Sequence, residues 1–359
     1  MPRNKTIYNA ELIYSGPSPA TGYHFSSHGN GVANHASTGV SLIQELFRVQ
    51  SFSFDFETPK REVYQFGELA AIDRLVVDTP TVTVNLSYLS ASFQNERRLG
   101  FTISSGANLT TCISGFLSKA NDERNIFAKI VAEGDDAIDN ATTSYVVAGF
   151  GNMGVTSYQA QGAVGDFPTA TITLEGQNAK FDTANGASSY YTTGISSIPA
   201  VDASGNLISP IKYALPTGTT SAGSNPSDYS VLLPGDINFS IGTWQDGFFD
   251  FDDLTVQDYS IGVELSRTPL LKLGSKTAFS REIDVPVNAT LQINAIVGDY
   301  ATGSLSENIK KNTPYNAAIT INKPSFSYGV ADAGAGTPAM RYDLKGAYVD
   351  SVNFGLDIG

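Results

Sequence analysis

The chain has 359 residues, a net charge of −13, 41 % hydrophobic and only 16 % charged residues, and a single cysteine. That length accommodates two domains. Without a basic stripe the chain is not built to grip nucleic acid, though it could let nucleic acid slide past. One cysteine excludes an intrachain disulfide framework, and no apolar run is long enough for a Sec-type signal or a membrane-spanning helix.

Phe and Tyr dominate the aromatics, and Gly, Ser, Thr and Asn are plentiful, a balance that suits short strands joined by turns. The N-terminal NKTIYNAELIYSG reads as an opening strand. His24, His28 and His35 then cluster in GYHFSSHGNGVANHAS, which has no fixed periodicity and no cysteine or carboxylate. A polar surface loop is the expectation there, ahead of a metal site. SLIQELFRV (41–49) is a helix candidate.

Residues 49–57, VQSFSFDFE, alternate: Phe52, Phe54 and Phe56 face one side of a strand, Ser53, Asp55 and Glu57 the other. The same sentence returns 207 positions later, where Val49, Gln50, Ser53, Glu57 and Gly67 recur as Val256, Gln257, Ser260, Glu264 and Gly274. Arg74 recurs as Arg281, each seven residues past its glycine. Alternating strands follow in both places, through Val82, Val84, Leu86 and Tyr88 and through Ala289, Leu291, Ile293 and Ala295.

SGFLS (114–118) matches TGSLS (302–306) at a shorter offset, so the first copy carries an insertion within 91–111. Its charged tip, Gln94, Asn95, Glu96, Arg97 and Arg98, reads as a protruding hairpin or loop that contacts a neighbouring subunit or ring. Strands NIFAKIV and NAAITI follow, and both copies end alike: Val155, Ser157, Val164 and Gly165 fall on Val349, Ser351, Ile358 and Gly359. Five blocks in the same order predict a tandem duplication. The boundaries expected are 1–165 and 166–359, the second including a Gly/Ser/Thr-rich loop or linker at 182–228. The alternating stretch 167–181 is expected to open the second copy, and 300–311 is a second helix candidate. The fold class expected is all-β with minor helix: two tandem antiparallel sandwich- or barrel-like domains.

No constellation for chemistry stands out. EGDDAID (133–139) lacks the spacing of a calcium loop, and the aspartates of 246–254 read as a solvated turn. Cys112 lies in an apolar strand-like run, no G-x-S-x-G elbow is present, and GFGNMG (149–154) reads as a turn and not a phosphate loop. The expectation is a non-enzyme with no catalytic residues, cofactor or metal.

GNMGVTSYQAQGAVGDFPTATITLEGQN (151–178) and SRTPLLKLGSKTAFSREIDVPVNATLQINAIVGDYATGSLSENI (266–309) resemble a pattern of the tail tube (major tail) proteins of tailed bacteriophages. The chain departs from it by carrying two copies, the first reading REVYQFG in place of TPLLKLG. The resemblance implies a structural virion protein that self-assembles into stacked rings, a channel for DNA passage during ejection. Three two-domain chains would supply six quasi-equivalent positions; a hexamer is the alternative. The partners implied are further copies, other tail proteins and phage DNA passing without tight binding, with no membrane. The location implied is the virion tail, assembled in the host cytoplasm. Asp55, Glu57 and Glu264 are the lumen-facing candidates. A virion adhesin or lectin-like module binding host glycan through 182–228 is the competing reading.

Overall fold

The computed structural model describes residues 6–17, 44–77, 80–104, 110–112, 123–132, 137, 144–185, 191–192, 212–213, 231–241, 254–273, 278, 280–297, 314–324, 326–327, 330–331, 336–351 and 353. These residues are mainly strand, and their strand pairings are antiparallel, so the chain is all-β. Strands of four or more residues are numbered in chain order. The first half holds β1 (Thr6–Pro17), β2 (Val49–Glu57), β3 (Lys60–Val63), β4 (Asp73–Val76), β5 (Thr81–Leu89), β6 (Arg124–Ala132) and β7 (Ser144–Ala163). Next come β8 (Thr169–Gly176), β9 (Asn178–Asn185), β10 (Ile237–Ile241), β11 (Leu254–Glu264) and β12 (Arg267–Leu270). The last are β13 (Ser280–Ile283), β14 (Ala289–Val297), β15 (Tyr315–Asn322) and β16 (Pro338–Ala347); the short helix α1 spans Gln94–Arg98.

The principal sheet runs β2-β5-β8-β7-β11-β14. Strand β7 is long enough to serve two sheets. Its first part pairs with β6 and β9, while Gly154 onward pairs with β8 and Ser157 onward with β11. The switch occurs at Asn152, whose φ of 55° lies in the left-handed region that asparagine tolerates better than most residues. Asn125 Oδ1 accepts the Asn152 N–H at 3.1 Å and holds the bend. GFGNMG, expected to be a turn, is therefore the point at which one strand changes partners.

A second layer consists of β1-β6-β7-β9 and of β10-β15-β16. Leu86, Ile172 and Ile261 of the principal sheet meet Ile126, Ile319 and Met340 of this layer in one apolar cluster drawn from both halves. Each such fully buried aliphatic side chain stabilises by about 1.5–3 kcal/mol.

Two sequence expectations change here. Segment 169–176 does not pair with the second-half strands; it inserts as β8 between β5 and β7, and β10 pairs with β15 as β1 pairs with β6. Within 41–49 the described residues form no helix. Gln44 and Glu45 pair with Ser15 and Tyr14, and Arg48 has φ 59°. The Asn95 side chain clamps the Phe47 backbone from both sides, accepting its N–H at 2.9 Å and donating to its carbonyl at 2.7 Å. Such tertiary pairing outweighs helical periodicity in so short a stretch. The candidate at 300–311 lies outside the described residues.

The repeated sentence is repeated in geometry as well. Hairpins β2/β5 and β11/β14 share one register at the 207-residue offset: Phe52↔Leu86 matches Tyr259↔Ile293, and each has its irregularity one residue after the valine. Gln50, at that irregularity, donates to Arg48 O at 3.2 Å, and Gln257 donates to Thr255 O at 3.4 Å. The bend recurs too. Gly346, at φ 71°, stands where Asn152 does, and its N–H donates to Asn316 Oδ1 at 3.1 Å, as that of Asn152 donates to Asn125.

Candidate functional surfaces: a carboxylate face, a free edge and two arms

Alternation sorts the principal sheet into an apolar and a polar face. Val84, Leu86, Tyr158, Ile172 and Ile261 are buried on one side. Ser, Thr, Asn and Gln cover the other, bonded across strands: Thr173 Oγ1 donates to Asn85 Oδ1 at 2.9 Å, and Gln159 Nε2 to Ser260 Oγ at 3.0 Å. The charges in this sheet are Asp55, Glu57, Glu175, Asp258 and Glu264, and none of its six strands contains a lysine or arginine over the paired stretches. Asp55, Glu57 and Glu264 are exposed. Ser157 Oγ donates to Glu264 Oε1 at 3.0 Å, and Asn294 Nδ2 donates to both carboxylate oxygens of Asp258, at 2.8 and 2.9 Å. The three residues singled out in the sequence thus lie on one polar face, where fixed negative charge meets no basic residue of the sheet.

Strands β2 and β11 match in sequence and register but not in surroundings. The outer edge of β11 is covered by β7, extended at both ends by Leu265 N–H to Thr156 O at 2.7 Å and Val164 N–H to Gln257 O at 2.9 Å. Among the described residues β2 pairs with β5 alone. The consequence is visible in burial. Ile261 and Val263 are 3 % and 1 % exposed, while the matching Phe54 and Phe56 are 39 % and 66 % exposed. Residues 348–351, which match the start of the covering segment 154–157, are in no strand.

Gln94, Asn95, Glu96, Arg97 and Arg98 do not form a projecting tip. They are α1, a single helical turn in which Asn95 and Glu96 are buried, Gln94 and Arg98 half-buried and only Arg97 exposed. The Arg98 guanidinium lies 4.2 Å over the Phe47 ring, and its backbone carbonyl accepts from Ser15 Oγ at 2.9 Å. Glu96 Oε1 accepts from Tyr88 Oη at 2.9 Å and Tyr158 Oη at 3.2 Å, and Tyr158 Oη meets Tyr342 Oη at 2.9 Å. Burial pushes the Glu96 carboxyl up to about 7, partly opposed by these hydrogen bonds, and burial raises all three tyrosines well above 10. The signal that α1 is internal is its apolar bracket: Phe93, Leu99 and Phe101, all buried.

What projects is a pair of arms. Hairpin β3/β4 exposes Tyr64, Phe66, Leu69, Leu75, Val76 and Val77, and the matching hairpin β12/β13 exposes Leu271 and Leu273. At its base the second arm is anchored on the first half. Arg281 donates to Glu175 O at 2.7 Å, to Glu123 Oε1 at 3.2 Å and to Asn152 O. Sequence reasoning paired Arg74 with Arg281 but assigned neither a role.

His24, His28 and His35, residues 246–253 and most of 182–228 lie outside the described residues, as does all of 133–139 except Ala137. Among the described residues no group of three or more His, Cys, Asp or Glu is placed to hold a metal, and no helix is long and apolar enough to cross a membrane. No protein-family model matches the chain, and comparison with curated proteins returns no significant match.

Proposed function

We propose that this chain is a structural subunit, not an enzyme, that closes with further copies into rings and stacks them into a tube for DNA: the tail tube of a tailed bacteriophage. In this reading its two halves are tandem copies of one tube domain. Three chains supply six quasi-equivalent positions, and the subunit belongs to the virion with other tail proteins.

The observation that carries the reading is the unequal treatment of two equal strands. Where β11 is covered by 156–164 of its own chain, β2 has no second partner among the described residues and exposes phenylalanines. An exposed, apolar sheet edge is an aggregation hazard unless another strand takes it, and a ring supplies one for each copy. Residues 350 and 351, which match 156 and 157 at the start of that covering stretch, are in no strand of their own chain and mark where β2 of the next copy would be met.

The stagger of the sheet suits closure. Following partners from Glu264 leads through Ser157, Thr173 and Asn85 to Ser53. The matched position, Glu57, is four residues further along β2, so the repeat advances four strands and four residues together. Equal strand number and shear give a strand tilt of about 36°, that of eight-stranded closed barrels. A wall carrying Asp55, Glu57 and Glu264 without basic residues repels phosphate and lets DNA pass. The competing adhesin reading rests on 182–228, most of which lies outside the described residues, and no observation favours it.

Sedimentation across a concentration series tests the proposal. The expected result is conversion of monomer into a three-chain species and then into longer multiples. Monomer at every concentration contradicts it.

A further inference from the structure

The second arm is seated and the first is not. Arg281 of β13 is 3 % exposed in its side chain and paired with Glu123, while the matching Arg74 of β4 is 65 % exposed, with Glu62 of its own hairpin at 3.6 Å. Around the two arginines, Leu75, Val76 and Val77 of the first arm are exposed, whereas the second arm carries Glu282, Ile283 and Asp284 at those places, with Ile283 packed against the core. The unseated arm is thus the more apolar one, the reverse of what permanent exposure to water favours.

We propose that the first arm, residues 58–77, docks on the second half of another copy of this chain, with Arg74 seated at the carbonyl of Gly346 as Arg281 is seated at that of Asn152. The seat recurs in the second half. Gly346 has the left-handed conformation of Asn152, and Asn316 holds it through the same hydrogen bond by which Asn125 holds Asn152.

The charges are redistributed to match. Arg124 pairs with Met153 as Tyr315 pairs with Ala347, so Pro314 occupies the place of Glu123 and the second seat has no carboxylate there. On the arms the change runs the other way. Glu62 faces Arg74 across the first hairpin, where Pro269 faces Arg281 across the second. Each arginine therefore has one carboxylate, from the receiving half for Arg281 and from its own arm for Arg74. An arginine entering a second copy needs its charge answered, and the first arm carries the answer with it. The Glu175 contact comes from β8, outside the matched segments, and has no assigned counterpart. The neighbouring contact also differs: Arg267 donates to Val155 O at 3.3 Å past Gly154, whereas Lys60 and Tyr348 stand at the matching places.

The proposal deepens the ring reading and rests on it for the orientation of the two copies. Its test is photo-cross-linking of the full chain carrying Leu75→p-benzoylphenylalanine, with assembly followed by electron microscopy. The expected result is an interchain adduct to residues 338–351. In parallel, Arg74→Ala raises the concentration needed for assembly at least about tenfold, with the monomer's melting unchanged, and Arg74→Lys does not restore it. Rings whose adducts map elsewhere, or that show no interchain adduct, overturn the arm's seat and leave the ring reading standing. An adduct to 338–351 in a species that never forms rings supports the seat and overturns the ring. A chain that does not associate at all overturns both.

Discussion

Tyr158 of β7 and Tyr342 of β16 place their hydroxyl oxygens 2.9 Å apart, joining a first-half strand to a second-half strand inside the core. Tyr158 also reaches Glu96 of α1, and Tyr88 of β5 reaches the same carboxylate oxygen. Four polar side chains from four elements thus meet where water is excluded, a setting in which each bond has more weight than in solvent. Replacing Tyr342 with Phe removes one hydroxyl and leaves Tyr158 its bond to Glu96, so the expected loss is about 1 kcal/mol. Urea denaturation of the single and double Tyr→Phe variants at 158 and 342 measures the coupling. Strict additivity of the two would separate the halves energetically.

Glu96 makes the core sensitive to pH. Its carboxyl titrates near 7 when folded against 4.5 for an unperturbed glutamate, because burial disfavours the charged form. Over that window the folded chain holds a proton that the unfolded chain releases. The contribution is therefore complete below about pH 4.5 and is lost as pH rises through 7, up to about 3 kcal/mol. Glu96→Gln is expected to remove this part of the pH dependence, closing the difference between urea midpoints at pH 5 and pH 8. An unaltered difference in the variant contradicts the assignment.

The paired arginines separate burial from exposure. Arg281→Ala leaves Glu123 buried beside unfilled space, and the expected cost is about 3–5 kcal/mol. Arg74→Ala, on an exposed hairpin, should change monomer stability by no more than about 0.5 kcal/mol. Denaturant titration of the two variants checks the contrast, and equal costs would show that the arms are anchored alike.

The edge strand gives a corresponding pair. Phe56→Lys, at an exposed site on the apolar face of β2, is expected to leave the fold intact and block assembly, since strand addition would bury the new charge without a partner, as it buries the matching Val263. Val263→Ala, at the matching buried site, should cost about 2 kcal/mol of stability with assembly preserved when the chain is folded. Thermal melts and sedimentation read the two effects separately.

The polar face yields a prediction about DNA. Reversing Glu57 and Glu264 to lysine together leaves the apolar face untouched and should still permit tubes. Such tubes are expected to retain DNA at low salt and release it as salt rises, the mark of phosphate contacts. Retention that does not respond to salt would place these glutamates outside the channel.

Much of this was legible in the sequence where periodicity carries the information. The alternation of Val82, Val84 and Leu86 showed which face β5 buries, and the 207-residue repeat anticipated one register for both hairpins. The alternation of Phe52, Phe54 and Phe56 pointed to a core that this chain does not complete, since Phe54 and Phe56 are exposed. Neighbours were less legible. Ala170, Ile172 and Leu174 announce a strand, but alternation says nothing of which strands flank it, and β8 joined the first-half sheet. Charge misled at Gln94–Arg98, because a buried glutamate held by two tyrosines looks like a surface glutamate in one dimension. Asn152 was read among glycines as a turn; its left-handed φ becomes meaningful only beside Asn125 and the matching pair Asn316 and Gly346.

The measurement that bears most directly on the central claim is electron microscopy of the concentrated, purified chain with averaging of end-on views. The account predicts annular particles of three chains with six-fold pseudo-symmetry, a central channel wide enough for duplex DNA, and the face bearing Glu57 and Glu264 turned inward. Discrete particles without a channel, or rings that present those glutamates on the outside, would contradict it.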